Sequence, residues 1–357
     1  MKANFKKHTF NFIFPVGTSR GVLHTKDSWF LSIFNEENAM IGTGECSIIE
    51  GLSPDFLDEF TYEQKLRSLI EKLKDLALAD FFILGNKTSF SEDGMAFLKQ
   101  FEDDPSIKFG LECALMDANN RGDGIIFDNS FSRGESSIPI NGLVWMGTKE
   151  FMLDQIEQKI AAGFKTIKLK IGAIDFESEL NLIKGIRKKY SSDDLVIRVD
   201  ANGAFNASSV YGALKELNKL DVHSIEQPVA PQNSKLLRDL AMEQIIPIAL
   251  DETLLYFQKT SEKIQILEEI KPQFIVLKPS LHGGLTGTAE WIKMAEERNI
   301  PWWMTSALEG SIGLSAIAQF TGNYSINLAQ GLGTGGIFSN NLPSNLVVES
   351  GKIFIRK

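Results

Sequence analysis

The sequence predicts an α/β protein: a closed barrel of parallel strands, with helices outside, preceded by a smaller α+β domain. Two observations lead there. From about residue 138, short apolar runs alternate strictly with helical patterns. Five of those runs end on charged residues, Lys170, Asp200, Glu226, Asp251 and Lys278, at steps of 30, 26, 25 and 27 residues. That is the length of one strand plus its returning helix. In a parallel barrel, the carboxyl ends of the strands share one mouth.

The first third has a different order. HTFNFIF (8–14) alternates, with Phe10, Phe12 and Phe14 on one face. Further strands are expected at 29–34 and 40–47, giving an antiparallel meander. PVGTSRGVLHTKD (15–27) reads as a long polar connection between the first two. Helical patterns follow at about 61–78, 93–102 and 109–120, so strands come first and helices after.

In the barrel region the first strand is expected at 138–145. Thr148 is placed to cap a helix carrying Met152, Ile156 and Ile160 on one face, which Gly163 ends. KTIKLKIG, LVIRVDAN, HSIEQP, IPIALDET, FIVLKPS, PWWMTSALEG and INLAQGLGTG bring the count to eight strands. Residues 335–357 leave no room for another unit and are expected to return to the first domain. The expected division is 1–108, completed by 335–357, and 109–334.

With 357 residues, 43% hydrophobic and 23% charged, the chain has an ordinary globular composition. A formal charge of −9 argues against nucleic acid or an anionic membrane as general partner. It leaves room for a small anionic carboxylate in a locally basic cleft. Cys46 and Cys113 lack metal-ligand spacing, the N-terminus alternates instead of forming an apolar signal core, and the longest apolar stretch, 76–84, contains Asp80. These features read as a reduced cytoplasmic protein; oligomeric state is not specified.

Strand alternation puts Thr166, Lys168 and Lys170 on one face and Ile167, Leu169 and Ile171 on the other. The apolar set suits the helices, which turns both lysines to the barrel axis. Arg198, Asp200 and Asn202 share a face in the same way. Asp200, Glu226 and Asp251 on consecutive strands would crowd three carboxylates together and raise one another's pKa unless a divalent cation neutralised them. Hard oxygen donors favour Mg2+, with Mn2+ as a substitute. Each acid alone is equally read as a helix cap or a partner of a nearby lysine. Repulsion between Lys168 and Lys170 lowers the pKa of at least one, providing an amine base, and Lys278 lies four strands on, across the ring.

The set Lys168-x-Lys170, Asp200-Ala-Asn202, Glu226-Gln-Pro, Asp251-Glu-Thr and Leu277-Lys278-Pro resembles the enolase superfamily, in its muconate-lactonising branch. The superfamily's use of a lysine or histidine base with Mg2+ is among the general examples of tuned active sites. The resemblance implies a modified (β/α)8-type barrel, (β/α)7β, with an α+β capping domain. It implies Lys170 as base and then acid, Lys168 as its tuning partner, and Lys278 as a cation over the intermediate. Asp200, Glu226 and Asp251 would be the Mg2+ ligands. GTSRGVL (17–23), the short cap and TSALEG (305–310) are most similar to the branch's dehydratases. These act in menaquinone biosynthesis by syn elimination of water from 2-succinyl-6-hydroxy-2,4-cyclohexadiene-1-carboxylate.

Substrate contacts are expected from Ser19, Arg20, Ser306 and Gly310, with Asn202 and Glu309 supporting them. Arg20 is equally read as an exposed loop residue, and His282 as a loop residue near the sixth strand. LAQGLGTG lacks the acid pair that dipeptide epimerases of the branch carry, and WWMTSALEG lacks the histidine base of mandelate-racemase relatives. Open alternatives are racemisation of an N-acylamino acid, dipeptide epimerisation, another cycloisomerase, a Schiff-base lysine aldolase, and a non-catalytic scaffold.

Overall fold

The computed structural model describes residues 1–18, 21–172 and 175–356. An antiparallel sheet opens the chain: β1 (Lys2–Thr18), β2 (Gly21–Phe34) and β3 (Met40–Ser47), in that spatial order. The expected polar connection at 15–27 is largely strand. Val16, Gly17 and Thr18 pair with Leu23, Val22 and Gly21, after a register shift between Asn11 and Val16. A long hairpin arm needs only one face apolar, so its polarity misread as a loop. Val16 is fully buried and packs with Phe10 and Trp145 in a small cluster.

Three helices follow: α1 (Glu59–Leu73), α2 (Glu92–Lys99) and α3 (Pro105–Asn119). Asp58 caps α1 by accepting from the Thr61 amide at 2.7 Å. Proline opens α3, where its missing N–H costs nothing. The helix is buried from Pro105 to Ala118. It lies directly on β3, because a Cβ at Gly44 would fall 1.8 Å from the Gly110 carbonyl oxygen.

The remaining elements are β4 (Ile138–Pro139), β5 (Gly142–Val144), α4 (Lys149–Ala161), β6 (Thr166–Lys170), α5 (Phe176–Arg187), β7 (Val196–Asp200), α6 (Val210–Asn218), β8 (Ser224–Glu226), α7 (Ser234–Glu243), β9 (Ile248–Leu250), α8 (Thr260–Ile270), β10 (Phe274–Leu277), α9 (Gly284–Glu296), β11 (Trp302–Met304) and α10 (Ser311–Thr321), ending in β12 (Leu346–Glu349) and β13 (Lys352–Ile355). Strands β5 to β11 form one parallel sheet in chain order, with a helix after each. Thr148 caps α4 by accepting from the Phe151 amide.

Two strand expectations need correction. The run 138–145 is split. Pro139, which has no ladder donor, leaves β4 to pair antiparallel with β13, while β5 enters the parallel sheet. INLAQGLGTG is no regular strand. Its Gln330 and Gly331 make single parallel bridges, to Ile140 and Thr305, which joins the first edge of the curled sheet to the last. The tail divides its contacts. Phe338 bridges Phe12 on β1, whereas β13 pairs with β4 and carries β12 on its other edge. Cys46 and Cys113 are buried free thiols.

Candidate active site

Strand register builds the site. Lys170 lies opposite Asp200, and Asp200 opposite Glu226, as one row across β6, β7 and β8. Glu226 pairs with Ala249, so Asp251, two residues on and on the same side of the strand, continues the row one step higher. Ile225, Val199 and Leu169, which alternate with these charges, are buried. They give the outer face the apolar surface that holds the helices.

The Lys168 ammonium donates to both Glu226 oxygens at 2.7 Å and sits 3.0 Å from Asp200. The Lys170 ammonium donates to Asn202 Oδ1 at 2.9 Å and lies 3.6 Å from Asp200. Lys278 is paired closely with Asp251 Oδ2. Gln227 props the row from behind. Its side chain accepts from the Asp251 amide and from Thr253, and donates to Val229 O and Thr253 Oγ1.

The electrostatics follow from this crowding. Burial opposes charge on Asp200, but Lys168, Lys170 and Lys278 outweigh it and hold the carboxyl well below the usual range. Asp251 is lowered as well, Lys278 overcoming its burial. Glu226 is the acid that gives way. Burial and then repulsion from Asp200 push it up, despite Lys168. Burial alone would lower Lys168, yet Asp200, Glu226 and Asp251 raise it. Of the two lysines expected to repel each other, Lys168 is not the one lowered: carboxylates surround it, and they decide its charge.

Other predicted residues fall as follows. Ser306 lines the cavity at the mouth, and its hydroxyl donates to Glu309 Oε2 at 2.7 Å. Glu309 also accepts from Ser280 and is fully buried. Gly310 does not offer its amide to the cavity; that N–H donates to Glu45 Oε1 at 2.8 Å. Phe10 presses on Gly310, where a Cβ would lie 2.2 Å from the ring, so this position reads as a packing site and not a substrate donor. Arg198 sits deeper, donating to Ala329 O at 2.8 Å and stacked 4.1 Å over Trp303. His282 is in a turn but buried, and its Nδ1 accepts from the Lys278 amide at 2.8 Å. Burial pushes its pKa down to about 3, so the ring is neutral. Ser19 and Arg20 lie outside the described residues.

The sequence reasoning missed Glu252, whose carboxylate accepts from Asn202 Nδ2 at 2.9 Å. Its signal was its place directly after the strand-end Asp251. It also missed the apolar wall of the cavity, Ile49, Leu52, Leu143, Trp145 and Leu308. Ile49 and Leu52 follow β3, far in sequence from the parallel sheet, so no pattern within its strands could mark them.

Among the described residues, no three acidic, histidine or cysteine side chains are gathered closely enough to hold a metal ion as they stand. The donor set nevertheless fits a hard divalent cation in chemistry. Three carboxylates at the ends of adjacent strands are buried together, one is driven towards neutrality by burial and by its neighbour Asp200, and Asp251 Oδ1 has no partner. The Lys168 and Lys278 ammonium groups now supply the positive charge. Bringing the three acids onto one ion requires them to turn from those lysines.

A family model described as enolase C-terminal domain-like matches residues 152–352. The chain is 41% identical to an o-succinylbenzoate synthase of Desulfotalea psychrophila, over 98% of each protein. The crystal structure of MenC from the same organism superimposes with a TM-score of 0.86 at 37% identity, covering 99% of each chain. The L-Ala-D/L-Glu epimerase from Bacillus subtilis, at 19% identity, shares the fold with a TM-score of 0.83 over 100% of this chain and 97% of its own. No helix among the described residues is long and apolar enough to cross a membrane. The chain belongs to the enolase superfamily, in its muconate-lactonising branch.

Proposed function

We propose that the chain is an o-succinylbenzoate synthase, a hydro-lyase of menaquinone biosynthesis. It would dehydrate 2-succinyl-6-hydroxy-2,4-cyclohexadiene-1-carboxylate to 2-succinylbenzoate. The observation that carries this reading is end-to-end similarity to a synthase of that name, at 41% identity, in a chain whose Lys170 stands at a cavity with a charged floor and an apolar wall. The fold is read as a (β/α)7β barrel spanning 109–334, capped by 1–108 and 335–357, and working in the cytoplasm.

Asp200, Glu226 and Asp251 are assigned to Mg2+. The ion, when bound, neutralises charge that develops on the substrate carboxylate as the adjacent carbon loses its proton. Lys170, as the free amine, takes that proton and returns it to the departing hydroxyl on the same face. Lys168 keeps the floor of the site positive beside Glu226 and Asp200. Lys278 places a cation against the ring, where attraction to a planar electron-rich system adds about 1–2 kcal/mol when desolvated. Ile49, Leu52 and Trp145 exclude water from the ring, and Ser306, its hydroxyl donated to Glu309, shapes the cavity wall beside them.

Racemisation of an N-acylamino acid needs Lys278 as a second free base, and the end-to-end similarity to a synthase favours the elimination instead. Dipeptide epimerisation is disfavoured too, since Gly331, Gly333 and Thr334 line the cavity on its last-strand side, without an acid. The test is to give purified protein the cyclohexadiene with Mg2+ and follow the aromatic product by ultraviolet absorbance. Product formation that chelator stops supports the reading. No product, or rapid deuterium exchange into N-succinylamino acids in its place, would overturn it.

A further inference from the structure

We propose that Glu252 is a positioning residue for proton transfer, acting through Asn202 on Lys170; this rests on the reading of Lys170 as the base. Glu252 opens the turn after β9 and is buried. Its Oε1 accepts from Asn202 Nδ2 at 2.9 Å, and Asn202 Oδ1 accepts from the Lys170 ammonium at 2.9 Å. A carboxylate only accepts and an ammonium only donates, so a single orientation of the Asn202 amide satisfies both. Turning it over would set NH2 against the ammonium and carbonyl against carboxylate.

Asn202 is held at its backbone as well. Its φ of 44° lies in the left-handed region that asparagine tolerates, and its amide donates to Asp200 Oδ1 at 3.2 Å. Asp200 is the weaker partner of Lys170, at 3.6 Å, because Lys168 claims it at 3.0 Å. Asn202 is therefore the contact that aims the Lys170 nitrogen, and Glu252 is what fixes Asn202. The other Glu252 oxygen is buried without a partner. A half-satisfied buried carboxylate costs stability, so folding does not account for it. Alignment of the reacting nitrogen does.

The test compares Glu252→Gln with Glu252→Leu. Glutamine keeps a carbonyl to accept from Asn202, whereas leucine removes the acceptor at similar volume. Glu252→Leu is expected to lower kcat by about 30- to 100-fold, the scale of a small misplacement of a reacting group. KM and the Mg2+ affinity measured by calorimetry should each stay within about twofold, and Glu252→Gln should retain kcat within about fivefold. Independently of substrate, the Asn202 side-chain NH2 signal, assigned by its loss in Asn202→Leu, should exchange slowly in wild type and Glu252→Gln and quickly in Glu252→Leu. Unchanged kcat or unchanged amide exchange in Glu252→Leu overturns the proposal. So does a parallel loss of kcat, KM and metal affinity, or a Gln variant as impaired as Leu. If the wild type fails to turn over the cyclohexadiene, the functional assignment falls, and the amide exchange still decides the role of Glu252.

Discussion

Lys168 reaches past β7 to donate to both oxygens of Glu226, at 2.7 Å each, on the inner side of the curled sheet. The pair is almost fully buried. Removing one partner from such a pair strands the other charge, at a cost of about 3–5 kcal/mol. Lys168→Met should therefore lower stability by about 3 kcal/mol in urea denaturation. It should also be stabilised by added Mg2+ more than the wild type is, since a cation then meets an unpaired acid.

Lys170→Ala should reduce turnover by at least about 100-fold, the lower bound for losing a general base. Its thermal unfolding should stay close to wild type, because Lys170 is only partly buried and Asn202 keeps Glu252 as a partner. Product absorbance in a stopped assay checks the first expectation, and calorimetry the second. Turnover at the wild-type rate would remove Lys170 from the mechanism.

Much of this centre was legible in the sequence because the signal is periodic. Strand alternation places Lys170 and Asp200, the regular spacing of strand ends places Glu226, and the register puts the three in one row. What escaped depends on contacts remote in sequence. Gly310 read as a substrate donor until Glu45, 265 residues away, was seen to accept from its amide. The hairpin arm at 16–23 read as a loop because only one of its faces is covered. The last barrel segment read as a strand, although it makes only two single bridges.

Gly310→Ala should cost about 1–3 kcal/mol, the usual range for overpacking a filled core. The added methyl would meet the Phe10 ring, which is itself fully buried. Equilibrium unfolding measures this. A variant as stable as wild type with a raised KM would instead return Gly310 to the substrate site.

Asp55 supplies a pH test away from the catalytic charges. Its Oδ2 accepts from the Ser106 amide and hydroxyl at the start of α3, yet burial pushes its pKa up to about 6. The folded protein thus holds this proton more tightly than the unfolded chain, where the value is about 3.9. The stability contribution is full below about pH 4 and is lost as pH rises through about 6. At about 1.4 kcal/mol per pKa unit the loss is of order 2–3 kcal/mol. Asp55→Asn keeps an acceptor for Ser106 and cannot ionise. Stability measured from pH 4 to 7 should fall less steeply in this variant than in the wild type; parallel curves would refute the assignment.

The central claim is that Asp200, Glu226 and Asp251 leave their lysines to share one cation. A crystal structure of the protein grown with Mg2+ tests it most directly. The expected result is a single ion bound by all three carboxylates, with the Lys168 and Lys278 ammonium groups moved off Glu226 and Asp251. Both lysines still seated on those acids at saturating Mg2+, with no ion among the three, would contradict it.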